Sequence, residues 1–195
     1  MKTTTLFLLI TLFCSVAACK KDDNNDPDCV KEENYFTAEF GGQTLEPYWH
    51  TGFGTTGYTL NINRNSQNQN DWQIYIGIDN SRVLFFWLKG VNNVGFYPID
   101  SGSLDDIPFP FSKTYIYIYD ESYIGDPNLS NYTHFSLGNT GSIEITEYNS
   151  TSGILVGTFN CTMYSTHNEG ETLPISGEFN INLQTHDTSV RPCWL

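Results

Sequence analysis

The sequence predicts an all-β fold, an antiparallel β-sandwich or flattened barrel of about ten strands. Three observations carry this. Short runs alternate apolar and polar residues with a period of two, as strands with one wet and one buried face require. Gly, Asn, Asp and Pro separate those runs at regular intervals. The composition is aromatic-rich and Met-poor, with 12 Tyr, 13 Phe and 2 Met, and rings suit a pleated, half-buried surface. No segment between the runs carries a helical repeat, and no strand–helix–strand alternation is visible.

In chain order, residues 1–18 have the layout of a secretory signal. Lys2 supplies the positive start and Leu6 to Phe13 the apolar stretch. Ser15, Ala17 and Ala18 are small residues ahead of Cys19. The stretch is too short for a membrane span, which needs about 20 apolar residues. Residues 19–33 then form a polar segment, of which KKDDNNDPDCVKEE lacks any apolar periodicity. Such a segment cannot bury enough surface to offset its ordering entropy, so a flexible, disordered tether is expected. A coil of this length spans on the order of 20 Å. Residues 34–195 are expected to form a single β-domain.

Val16-Ala17-Ala18-Cys19 resembles the lipobox of bacterial lipoproteins. The resemblance implies that the Cys19 sulfur receives a diacylglyceryl group, that the leader is removed, and that the new amine is acylated. Each buried methylene contributes about 0.8 kcal/mol, so two or three chains hold far more firmly than one. Lys21-Asp22-Asp23 resembles the export signal of Bacteroidota-type surface lipoproteins. It implies an outer-membrane anchor with the domain facing the cell exterior.

Within the domain, Trp72, Ile74, Ile76 and Ile78 of DWQIYIGID share one face, with Gln73 and Tyr75 on the other. VLFFWLK is apolar on both faces, with Phe85 and Trp87 opposite Leu84, Phe86 and Leu88. KTYIYIYDESY sets Tyr115, Tyr117 and Tyr119 against Ile116 and Ile118. The same alternation recurs in GSIEITEY, GTFNCTMY and GEFNINL. Residues 141–183, through GSIEIT, GTFNCT and ISGEF, resemble the C-terminal half of a broad set of Bacteroidota-type lipoproteins of unknown function. GQTLEPYW, residues 42–49, resembles the early strand and tryptophan of that set, with a wider Gly–Trp spacing. The resemblance implies fold and location, and no activity.

The net charge is −13, and loss of a leader containing Lys2 makes it one unit more negative. Such a surface repels phosphate backbones, which excludes nucleic acid as an expected partner. The expected membrane contact is through the lipid anchor alone. Cys14 leaves with the leader, and Cys161 alternates with Phe159 and Met163 as a core thiol. Cys29 and Cys193 flank the domain, whose termini should lie close together in an oxidising compartment, so a Cys29–Cys193 disulfide is expected.

No residue stands out as catalytic, and no metal or cofactor motif is present. The histidines His50, His134, His167 and His186 lack zinc-site spacing. The acid pairs Asp105-Asp106 and Asp120-Glu121 are adjacent, which on a strand sends them to opposite faces. The aromatics are the stronger signal. Tyr115, Tyr117, Tyr119, Phe86 and Trp87 form the candidate binding surface, since a two-sided apolar strand is either covered by a loop or exposed as a contact patch. The expected function is a non-enzymatic, lipid-anchored domain that binds a glycan or a surface protein. The alternatives are a lipocalin-like carrier of an apolar ligand and a hydrolase whose acids meet only in the fold.

Overall fold

The computed structural model describes residues 32–52, 55–65, 68–107 and 111–195. The strands are β1 (Tyr35–Phe40), β2 (Gln43–Leu45), β3 (Trp49–Gly52), β4 (Thr55–Tyr58), β5 (Leu60–Arg64), β6 (Trp72–Gly77) and β7 (Arg82–Leu88). They continue with β8 (Gly95–Pro98), β9 (Tyr115–Asp120), β10 (Tyr132–Ser136), β11 (Ser142–Asn149), β12 (Ile154–Ser165) and β13 (Thr172–Asn182). Among the described residues the only helical pieces are two short 3-10 turns, Leu104–Asp106 and Glu121–Tyr123.

Eleven strands make one antiparallel, curled sheet in the order β2-β1-β13-β12-β10-β9-β7-β6-β5, with β11 and β8 branching from β12. The branch exists because β12 is 12 residues long and serves two neighbours on one edge. Its first part, Ile154 to Asn160, pairs with β11, while Met163 to Ser165 pairs with β10. β13 lies along its other edge. The β3–β4 hairpin is a separate two-stranded sheet.

The curl turns one face of every long strand inward. Leu84, Phe86, Ile74, Ile76, Ile116, Phe36, Phe159 and Phe179 meet there at 0–2% exposure. Phe36 stacks on Phe159 at 5.6 Å, and Phe86 stands edge-on to Phe159 at 4.5 Å. Full burial of each such side chain contributes roughly 1.5–3 kcal/mol. A lipocalin-like carrier needs this interior space for its ligand; here rings occupy it. Side chains bridge the open side of the curl. Arg64 Nη1 donates to the Ser150 carbonyl at 2.8 Å, and the Tyr148 hydroxyl to Asn70 Oδ1 at 3.3 Å.

Cys161 is buried and free, and burial pushes its thiol up to about 12, which keeps it protonated and inert. Cys193 is disulfide-bonded. Cys19, Cys29 and the leader lie outside the described residues. Glu32 and Glu33, placed by their polarity at the end of the expected tether, meet β13 and its exit. Asn180 Nδ2 donates to the Glu32 carbonyl at 2.6 Å, and Thr185 Oγ1 to the Glu33 carboxylate at 2.7 Å. Polar chain docks here through amide and hydroxyl donors on β13 and its exit, a contact that apolar periodicity does not report.

Candidate functional site

Strand register builds a single row of rings across the outer face of the curl. Tyr75 pairs with Phe85, Phe85 with Tyr117, Tyr117 with Phe135, and Phe135 with Tyr164. Tyr75 stands edge-on to Phe85 at 4.9 Å, and Phe85 stacks on Tyr117 at 4.5 Å with 9° between the planes. Phe135 stacks on Tyr164 at 6.0 Å. Trp87 and Tyr115 lie beside the row, stacked at 5.9 Å. A bulge between Tyr132 and His134 puts Tyr132 on this face as well, edge-on to Tyr119 at 5.1 Å.

The expected binding surface falls in the covered half of this band. Tyr115, Tyr117 and Trp87 are 0%, 3% and 6% exposed, and Phe86 points into the inner core instead. The cover is the connection between β8 and β9. Its Phe111 sits edge-on over Trp87 at 4.6 Å, and Ile107 packs on the same cluster. The Tyr115 hydroxyl donates to the Asp106 carbonyl at 2.7 Å, and the Tyr164 hydroxyl to the Gly102 carbonyl at 2.9 Å. Burial drives both the Tyr115 and Tyr117 hydroxyls above their ordinary range. An open platform over these residues is therefore corrected to a second, loop-capped core. Only Tyr119 of the tyrosine triplet stays half-exposed. The apolar Ile107 and Phe111 between β8 and β9 are the sequence signal for this cover.

At its other end the band is open. Half-buried Tyr75 faces a cleft of about 520 Å³ lined by Tyr48, His50, Asn61, Asp79 and Asn80 as well. That volume lies within the roughly 300–1,000 Å³ usual for ligand sites. Thr59 fixes the β3–β4 hairpin against β6. Its N–H donates to the Tyr48 carbonyl at 3.0 Å, its Oγ1 accepts from the Tyr48 N–H at 2.8 Å, and its carbonyl accepts from the Gly77 N–H at 2.9 Å. Two glycines permit this close approach. A Cβ at Gly77 would lie 2.8 Å from Thr59 Cβ, and one at Gly57 would lie 2.9 Å from the Thr188 carbonyl oxygen.

The polar groups of the cleft differ in how firmly they are held. Asp79 is saturated: Oδ1 accepts from the N–H groups of Ser81 and Arg82 at 2.9 and 2.8 Å, and Oδ2 from Arg82 Nε at 2.7 Å. Burial alone would raise this carboxyl, but the Ser81 N–H and the Arg82 guanidinium outweigh it and hold it below the usual range. The Tyr48 hydroxyl is loosely held, reaching His50 Nδ1 and Asn80 Oδ1 only at 3.5 Å. Burial, with Asp79 adding to it, raises that hydroxyl above its ordinary value, so it remains a donor at neutral pH. Ring faces beside amides, a hydroxyl and an imidazole can stack on and hydrogen-bond a polar, disc-shaped ligand.

Two other clefts gather titratable groups. One of about 690 Å³ brings Asp105, from the β8–β9 connection, alongside Glu169 and Glu171 of the β12–β13 turn. All three carboxylates are exposed, and Glu171 accepts from Asn168 Nδ2 at 2.6 Å. Another of about 290 Å³ holds His134, His167 and Glu171, which sequence spacing left scattered. His167 Nε2 there lies 2.7 Å from the Ser130 carbonyl, which it satisfies as a donor. Among the described residues no group of three or more His, Cys, Asp or Glu is placed to hold a metal ion. Among them, too, no helix is long and apolar enough to cross a membrane.

Fold and site together define an all-β domain with an aromatic-floored polar cleft. Comparison of the chain with family models, with curated proteins and with solved structures returns no match.

Proposed function

We propose that the chain is a lipid-anchored, outer-surface domain that binds a glycan, non-enzymatically, in the cleft beside Tyr48 and Tyr75. The observation that carries this reading is the cleft itself. A row of packed rings ends there at half-buried Tyr75, edge-on to Phe85, among amides and a loosely held hydroxyl. Saccharides present apolar ring faces and many hydroxyls, and aromatic faces beside amides match both. The lipobox-like Val16–Cys19 supplies the anchor and Lys21-Asp22-Asp23 the surface address. A surface protein as partner is the competing occupant.

The test is a glycan panel read by calorimetry, with Tyr48→Ala as the control. Binding that this variant loses supports the proposal. Binding of proteins alone, with every glycan silent, overturns it. Mass spectrometry of the natural product tests the anchor: an acylated Cys19 as first residue is expected, and any other N-terminus removes that half of the reading.

The cleft holding Asp105, Glu169 and Glu171 favours a second reading, a hydrolase, because it draws acids from distant segments together. A general acid works at neutral pH when burial raises its pKa. These carboxylates are open to water, which leaves the binding reading ahead.

A further inference from the structure

The cleft also carries information about the charge of its ligand. Resting on its reading as a saccharide site, we propose that its ligand is an uncharged saccharide, and that the domain selects against uronic-acid and sulfated chains.

The argument begins with the lining. Tyr48, His50, Asn61, Tyr75, Asp79 and Asn80 include no lysine or arginine, and the remaining lining residues, such as Thr56 and Thr188, add none. Arg82 is turned onto the lining residue Asp79, with Nε 2.7 Å from Oδ2. That pairing has two effects. It draws the guanidinium to the neighbouring cleft with His134 and His167, which Arg82 lines, and out of this one, which it does not, and it keeps Asp79 ionised by lowering its affinity for a proton. An anionic sugar would enter beside a fixed negative charge with no lysine or arginine among the described lining residues to meet it, and like charges a few ångströms apart repel.

The same commitment of cations runs through the described strands and loops. Arg64 donates to the Gln69 and Ser150 carbonyls at 2.6 and 2.8 Å and lies over the Trp72 ring at 4.6 Å. Lys89 Nζ meets the buried Asp71 carboxylate at 2.7 Å, and Lys113 Nζ meets Asp106 at 3.0 Å. Among the described residues Arg191 is the cation outside these pairings, and it is not part of the cleft lining. With a net charge of −13 around it, the site lies in a field that disfavours anions at long range as well. A neutral chain escapes both penalties. Its hydroxyls match the Asn61 and Asn80 amides, each of which donates and accepts.

The experiment is calorimetry on the full chain with two sets of defined hexasaccharides. The neutral set contains β-1,4-glucan, α-1,4-glucan, β-1,4-mannan and N-acetylglucosamine oligomers. The anionic set contains oligogalacturonate and chondroitin sulfate. Wild type is run beside Tyr48→Ala and Asn80→Ala, the second a change on an exposed turn that keeps the test open should the first variant fail to fold. At least one neutral oligomer is expected to bind wild type and to weaken tenfold or more in either variant, with the anionic set silent. Anionic oligomers that bind wild type and are lost in both variants overturn the charge inference while leaving the cleft as the site. Binding of any oligomer that survives both variants overturns the cleft reading itself. Silence across both sets overturns both.

Discussion

The two ends of the outer aromatic band are built from the same residue types and have opposite fates. Tyr115, Tyr117 and Trp87 lie beneath Phe111 and are almost wholly buried, whereas Tyr75 emerges into a cleft beside Tyr48. The rings do not decide the difference; the neighbouring backbone does. On one side the β8–β9 connection folds back and anchors itself through the Tyr115 and Tyr164 hydroxyls. On the other the β3–β4 hairpin approaches but stands off, held by Thr59 against β6. A tyrosine row is thus core where a loop returns over it and the wall of an open cleft where a hairpin leaves space.

The comparison breaks most sharply by truncation in the covered half. Trp87→Ala should destabilise by about 3–5 kcal/mol, because the ring is buried against Phe111 and Tyr115 and the connection cannot collapse fully into the void. Urea denaturation measures it, and a loss under about 1 kcal/mol would mean that the cap is loose. Gly77→Ala should come next, at about 1–3 kcal/mol, since its Cβ forces Thr59 and the hairpin outward. That variant should also bind ligand more weakly, because the cleft wall moves. Tyr48→Ala should change stability by about 1 kcal/mol or less while removing binding, the reverse of the Trp87 result.

The smallest effect lies on the inner side of β10, away from both ends of the band. His134 stands edge-on to Phe40 at 5.0 Å, and burial lowers its affinity for a proton; Glu171 opposes this and His167 adds to it. The unfolded chain takes up that proton near pH 6.5, about the ordinary value, and the folded chain only at lower pH. Folding stability from this group is therefore complete above about pH 6.5 and declines as pH falls below it. His134→Gln should flatten the fall in Tm between about pH 7 and 5.

Much of the fold was legible because strand alternation is local. Trp72, Ile74 and Ile76 announce β6, and Ile116 and Ile118 mark the inner face of β9, with no reference to the rest of the chain. The β3–β4 hairpin was not legible, since WHTG and TTGY are short and lack apolar alternation. The site was less legible still. Its two walls, Tyr48-His50 at the start of β3 and Tyr75-Asp79 at the end of β6, are far apart in sequence, and the hydrogen bonds of Thr59 bring them together. The two-sided apolar strand did pose the right question, whether loop or solvent covers the tyrosines. The answer depended on where Ile107 and Phe111 return over the sheet, which is a tertiary fact.

Hydroxyl-radical footprinting of the folded domain, read residue by residue by mass spectrometry, tests the contrast most directly. Tyr48 and Tyr75 should oxidise readily and become protected when a neutral oligosaccharide binds, while Tyr115 and Tyr117 stay silent in both states. Equal oxidation of all four, or protection that appears at Tyr115 and Tyr117 instead, would contradict the account.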